Sequence, residues 1–385
     1  MYKFRAKSNI VLGALSLLSL LAFIAVENSK VDVQQDWYTE KLEASLLSQL
    51  AANTLKNHRL EKGVFTDDIN DPNQTALIGQ EYTQITTDRG YIEAKLSSTN
   101  PNFAALIVQL LKDAGVEKGD NVAVAMTGSF PALNISVLAA METMDLHPIV
   151  ITSVGSSNWG ANDPYFTWLD MESLFIKSNV FHTRSVAASM GGGSDIGRGL
   201  SPQGRKLISK AIKRNNVAFI NEKHIEKSIA RRMDIYDKYS NGMPIKAFIN
   251  VGGGIASLGN TINGKIIPAG LTEFLPEANF PVRGVMIQMG QQQTPIIHLL
   301  NISQLLEKYG LPTSPSPLPE PGVGEIFVQK KYSMLVTGIA TLILVIVVVV
   351  VYFGEKKHHL LGSDIVPANE VRRTEDEETD NIVVL

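Results

Sequence analysis

The sequence predicts an α/β protein. Its sheet is mostly parallel with helices on both faces, glycine-rich loops lie at the strand ends, and N- and C-terminal transmembrane helices flank it. Three observations carry this reading. Segments such as VAVAMTG (122–128) and HPIVITSVG (147–155) are apolar throughout rather than alternating, as in strands buried on both faces. Helical patterns separate these segments, as crossover connections require. Two runs without charge, SNIVLGALSLLSLLAFIAV (8–26) and YSMLVTGIATLILVIVVVVVYF (332–353), can each cross a bilayer as one helix, which takes roughly 20 apolar residues.

The first run follows Lys3, Arg5 and Lys7. It reads either as a secretory signal peptide or as a retained anchor over 1–26. Phe23 stands where a small residue is wanted before a cut after Ala25, which favours the anchor. Lys356, Lys357, His358 and His359 follow the second run, and both ends therefore read as cytoplasmic. Lys330 and Lys331, just before that run, pull the other way. The expected setting is a bacterial cytoplasmic membrane crossed twice, with 27–331 outside the cytoplasm. The absence of Cys agrees with an oxidising compartment. A formal net charge of −3 over 385 residues argues against nucleic acid as a partner.

Residues 27–63 read as one amphipathic helix, a stalk, with Trp37, Leu42, Leu46, Leu47, Leu50, Leu55 and Leu60 at helical spacing. Thr66–Asn73 is a loop, rich in Asp and Asn. A domain over 64–310 then alternates. Asn102–Ala114 is a helix, with Pro101 near its start and Gly115 at its end. Val122–Gly128 is a strand, Ala132–Met144 a helix, His147–Gly155 a strand and Thr167–Phe175 a short helix. Pro202–Arg214 is a helix capped by Ser201. Val217–Asn221 is a strand and Lys223–Tyr239 a helix. A strand ends at Val251 and another covers Val285–Met289. Ile297–Tyr309 is the last helix of the domain. Residues 311–331 open with LPTSPSPLPEPGVG, which reads as a stiff extended linker. The span occupies 332–354, and 355–385 is an acidic tail on the cytoplasmic side, of which 362–385 reads as disordered.

In a doubly covered parallel sheet, ligands sit beyond the carboxyl ends of the strands. That directs attention to the loops after Met126, Thr152, Ile249 and Ile287. The first contains Thr127, Gly128 and Ser129 ahead of a helix, an arrangement that presents free N–H groups to an anion. Ser129 is a cap, an anion ligand or a nucleophile, although no G-x-S-x-G elbow and no placed His accompany it. The second loop, SVGSSNWGANDPYFTWLDME (153–172), mixes Ser156, Ser157, Asn158, Trp159 and Asn162 with Asp163, Trp168, Asp170 and Glu172. It is either a wall that hydrogen-bonds a polar ligand or an ordered plug. Asp163 with Asp170 or Glu172 is the candidate pair for acid/base work or for a cation, since 170 and 172 do not share a helical face.

The stretch MGGGSDIGRGLSPQGRK (190–206) offers Gly191, Gly192, Gly193, Ser194 and Asp195, with Arg198 and Arg205 supplying charge. It lacks the spacing of a Walker or dinucleotide motif and reads as an anion cradle or as a lid. Asn250, Gly252, Gly253 and Gly254 end a buried strand, where absent side chains admit a ligand to the backbone or simply make a tight turn. Arg89, in YTQITTDRGYIEAK (82–95), clamps a carboxylate or forms a surface ion pair. The seven His residues have no metal-ligand spacing, and no cofactor motif occurs.

TTDRG (86–90), TGSFPALN (127–134), SSNWGANDPYFTWLDME (156–172), GGGSDIG (191–197) and NVGGG (250–254) together resemble the bacterial poly-gamma-glutamate system protein family. The resemblance covers most of the chain, both spans included. It implies an accessory membrane protein of poly-gamma-glutamate synthesis and export, with the synthase membrane subunits and the anionic polymer as partners. It assigns no catalytic residue. The expectation is therefore a polymer-binding accessory subunit. An extracytoplasmic amidohydrolase or transferase acting on the polymer, and a receptor for a small carboxylate, are the alternatives.

Overall fold

The computed structural model describes residues 9–64, 66–276 and 278–361. The expected basic start at 1–8 and the tail beyond 361 lie outside the described residues. The chain opens with α1 (Asn9–Glu27) and β1 (Lys30–Gln34), breaks at Trp37 with a left-handed backbone (φ 56°), and enters α2 (Tyr38–Glu61). After a long loop come β2 (Thr86–Asp88), α3 (Ile92–Ser98), α4 (Phe103–Asp113) and β3 (Asn121–Thr127). Then α5 (Pro131–Thr143) begins at a proline, whose missing N–H costs nothing in a first turn.

Next follow β4 (His147–Ser153), the short strands β5 (Ser156–Ser157), β6 (Asn162–Asp163) and β7 (Phe166–Thr167), and α6 (Trp168–Lys177). After β8 (Ala187–Ser189), α7 (Pro202–Arg214) starts where the Ser201 hydroxyl accepts from Gly204 N at 3.1 Å. Then come β9 (Ala218–Ile220), α8 (Ile225–Tyr239), β10 (Ile245–Val251), α9 (Ile255–Leu258), α10 (Asn263–Ile266) and β11 (Gly270–Thr272). The chain ends with α11 (Val285–Gln291), β12 (Ile296–Leu299), α12 (Ile302–Tyr309), β13 (Val328–Tyr332) and α13 (Met334–Leu361).

Seven strands form one sheet in the order β11-β12-β10-β3-β4-β8-β9. All pairs are parallel except β11 with β12. The inner strands of the sheet are buried on both faces. Val122, Val124 and Met126 of β3 face a core with α2, α4, α5 and α12, whereas Ala123 and Ala125 face α8, α9 and α11. A third cluster packs α7 against Ala188 and Val154. The chain runs outward from β3 through β4, β8 and β9, then returns to the other side of β3 with β10. The strand order therefore reverses between β3 and β10, and in doubly wound sheets a crevice opens at such a point.

The two apolar terminal helices are long enough to span a membrane. Asn9–Glu27 has a mean hydropathy of 2.4 and Met334–Phe353 one of 3.1, and neither window is buried within the protein. They contact one another, and β1 pairs with β13.

Four sequence expectations are corrected. Residues 27–63 are not a continuous stalk. α2 is a wall of the domain, burying Ala44, Ser48, Ala51 and Leu55, while Leu46, Leu50 and Leu60 are exposed. Residues 311–331 are not a free linker. Leu311, Ile326 and Phe327 are buried, and the Asn102 side chain donates to Glu320 O and Val323 O. Val285–Met289 is helix, and Ile297–Tyr309 divides into β12 and α12. Gly290 and Gln293, the latter at φ 64°, close that helix ahead of a strand too short to show a period.

Candidate functional site

A cleft of about 980 Å³ opens at the carboxyl ends of β3 and β10. Its lining draws together loops that are far apart in sequence. Thr127 ends β3 and Ser129 lies in the loop after it, Ser157 comes from β5, Gly192 and Gly193 from the loop after β8, and Gly253 and Gly254 from the loop after β10. Asp88, Arg89, Gly90, Glu93 and Lys95 close one side, and Lys265, His298, Asn301 and Gln304 close the other.

The backbone is held open for this convergence. Gly252 has φ 83°, and a Cβ there would meet Thr127 Oγ1 at 2.5 Å, so only glycine lets the β10 loop turn against the β3 loop. Its N–H bonds to Leu299 O (2.9 Å), and the Thr127 hydroxyl donates to Val251 O (3.2 Å). Asn250 stands behind the wall. Its Nδ2 donates to Gly252 O (2.8 Å) and lies 3.0 Å from His298 Nδ1. Burial pushes the His298 imidazole down to about 4, so it is neutral, and its Nε2 donates to Gly264 O at 3.3 Å.

The loop after β8 is fixed by a buried polar knot rather than presented as a flexible lid. Asp195 accepts from Ser189 (2.6 Å) and Ser228 (2.6 Å) and pairs with Arg232 at 3.1 Å. Arg232 also donates to Ser153 and Ser189. Asp195 is thus committed to the loop's own support, while Gly192 and Gly193 remain on the cleft wall. Gly191 and Ser194 shape the turn, with φ 73° and 53°. Arg198 is exposed and bridges back to Gly193, so it sits outside the cleft lining, as does Arg205, which donates to Leu200 O.

The second loop divides between cleft and scaffold. Ser157 lines the cleft. Ser156 is buried and donates to Gly128 O at 3.0 Å. Asn158 and Asn162 are buried and donate to Glu81 O and Gln80 O, stitching the 80–90 segment onto this loop. Trp159, Asn162 and Asp163 instead border a second cavity of about 660 Å³ with Arg59 and Phe166.

The expected acid/base pair does not form, because each carboxylate is engaged elsewhere. Asp163 pairs with Arg59 at 3.9 Å and accepts from Tyr165 N. Asp170 closes a capping box with Thr167 and pairs with Arg214. Hydrogen bonds from Arg214, Asn215 and Thr167 outweigh its burial and hold its carboxyl below the usual range. Glu172 is buried against Trp168 Nε1 (2.6 Å) and Ser185. None of the three lines the cleft.

Lys95 is the residue that sequence reasoning missed. It lies on α3, only 2 % exposed. Its Nζ donates to Ser129 O and bonds Ser157 Oγ at 2.9 Å, and it lies 3.7 Å from the centroid of the Phe130 ring. Burial drives the ammonium down to about 7. Among the described residues, no carboxylate forms an ion pair with it. No group of three or more His, Asp or Glu among the described residues is placed to hold a metal ion.

No family model, curated protein or solved structure matches this chain. The reading of the cleft therefore rests on its own chemistry. The lining carries Arg89 and Lys265 as cations, with Lys95 held near neutrality, against two carboxylates, Asp88 and Glu93. Glycine turns contribute Gly192, Gly193, Gly253 and Gly254, and apolar side chains such as Phe130, Ile255, Ile266 and Leu300 fill much of the remainder.

Proposed function

We propose that this is a membrane-anchored, extracytoplasmic subunit that binds a carboxylate-bearing polymer in the cleft between β3 and β10. The sequence resemblance nominates poly-gamma-glutamate, presented by the synthase membrane subunits of a bacterial cytoplasmic membrane. One observation carries the binding reading. Glycine turns from three separate loops converge on one cleft together with Arg89 and a buried lysine that has no carboxylate partner among the described residues. An unpaired buried cation is unfavourable unless a ligand anion neutralises it or it loses its proton. Each unit of a gamma-linked glutamate chain carries one free carboxylate, and the cleft volume admits more than one such unit.

The test uses full-length protein in lipid nanodiscs, titrated with fluorescent poly-gamma-glutamate of graded length and with a neutral polymer. Expected are binding that strengthens with length, weakens with salt, and drops roughly 10-fold in Arg89→Gln, the scale of one hydrogen bond to a charged group. Equal affinity for monomeric glutamate would favour a small-carboxylate receptor. Indifference to charge would sink the reading.

A further inference from the structure

Ser157 and Lys95 meet in a way that mere ligand contact does not require. We propose that Ser157 is a nucleophile and Lys95 its general base, acting on an amide of the acidic chain held in the cleft. This inference rests on the polymer-binding reading above.

The geometry is built from several sides. β5 pairs with β2 in parallel, placing Ser157 opposite Asp88. Ser157 N donates to Ser129 Oγ at 3.0 Å, fixing its backbone beside the start of α5. Gly90 N donates to Asn158 Oδ1 at 3.1 Å, which docks the β2–α3 turn onto the same loop. A Cβ on Gly90 would come within 2.9 Å of Ser157 Oγ and 3.3 Å of Lys95 Cε, so the bare glycine is what leaves the pair room. Lys95 Nζ is anchored on Ser129 O, and its remaining contact in the pair is the Ser157 hydroxyl at 2.9 Å. This is the reach a general base needs. Besides Lys95, the ionisable groups lining the cleft are Asp88, Arg89, Tyr91 and Glu93 from the β2–α3 segment, and Lys265 and His298 from the far wall. None of them forms an ion pair with Lys95. Burial alone favours its neutral amine, pulling it down to about 7.

As a neutral amine, Lys95 accepts the hydrogen bond of Ser157 Oγ–H. Oγ attacks the amide carbonyl carbon, a C–O bond forms, and the hydroxyl proton moves to Nζ. Collapse breaks the C–N bond, and Nζ returns the proton to the leaving amine. Water then cleaves the acyl ester to release an acid, with Lys95 again as base. An incoming amine in place of water would transfer the chain instead.

The experiment incubates full-length protein in detergent with poly-gamma-glutamate from pH 5 to 9. It follows binding, free amine release and the mass of the Ser157 peptide after acid quench. Expected are amine release that rises with pH about a midpoint near 7 and an acyl adduct on Ser157. Release should fall by about 100-fold or more in Ser157→Ala, the scale of losing nucleophilic catalysis, while the variant still binds the polymer and melts like the wild type. Lys95→Arg, whose guanidinium stays protonated across this range, should lose release at every pH. Binding with neither release nor adduct would overturn the dyad and leave the binding reading standing. Release that survives in Ser157→Ala would overturn the dyad alone. Absence of binding would overturn both.

Discussion

Glu172 shows how a residue drawn from a chemically rich stretch turns out to be structural. Its carboxyl is buried, accepts from Trp168 Nε1 and from both the N–H and hydroxyl of Ser185, and is pushed up to about 7 by burial, against the pull of those donors. The folded value lies above the ordinary one, so folding favours the protonated form. The contribution to stability is fully present below about pH 4.5 and is lost as pH rises through 7. A shift of that size is on the order of 3 kcal/mol. Glu172→Gln should therefore flatten the fall in melting temperature between pH 4.5 and 7.5, while adding a pH-independent loss from turning an amide N–H₂ toward a donor. Equal slopes in the two proteins would refute this. At this scale the glycines were legible, because a missing Cβ is written in the sequence. Lys95 was not, since its burial comes from Ser129 and Ser157, which lie 34 and 62 residues away.

Among the elements, α2 and the segment 311–331 were misread for one reason: composition reports what a segment is made of, not what lies across from it. The leucines of α2 suggested a sticky stripe, yet the small residues Ala44, Ser48 and Ala51 face the domain and allow close approach to α4 and α5. Leu55 is fully buried, whereas Leu50 is 53 % exposed. Leu55→Ala should then cost roughly 2–5 kcal/mol, and Leu50→Gln should stay within about 0.5 kcal/mol, both read by chemical unfolding. A free stalk predicts no such difference. The proline-rich strap is tied down in the same manner, by Asn73 Nδ2 to Pro315 O (2.7 Å) and Ser314 N to Ser97 Oγ (2.9 Å). The strands β3, β4 and β10 were legible because burial on both faces forces unbroken apolar runs. β8, at three residues, and β12, at four, carry too little pattern to separate from helix or loop.

For the molecule as a whole, the reversal of strand order at β3 and β10 explains why loops 41 to 165 residues apart reach one cleft: Ser129, Gly192 and Gly253 from three strand ends, and Asp88 from the segment tied to them. The sequence placed the loops of Ser129 and Gly253 at strand ends but did not show the strand before Gly192 and could not order the strands, and the order makes these loops neighbours. The function then turns on which side of the membrane the cleft faces. The chain has no cysteine, so one introduced thiol reports position without background. Tyr165 is 78 % exposed in the loop between β6 and β7, and Tyr165→Cys disturbs no buried contact. A membrane-impermeant maleimide added to intact spheroplasts should label this variant as fully as it does after lysis. Labelling only after lysis would put the domain in the cytoplasm, away from any exported polymer, and the binding proposal would have to be abandoned along with the topology.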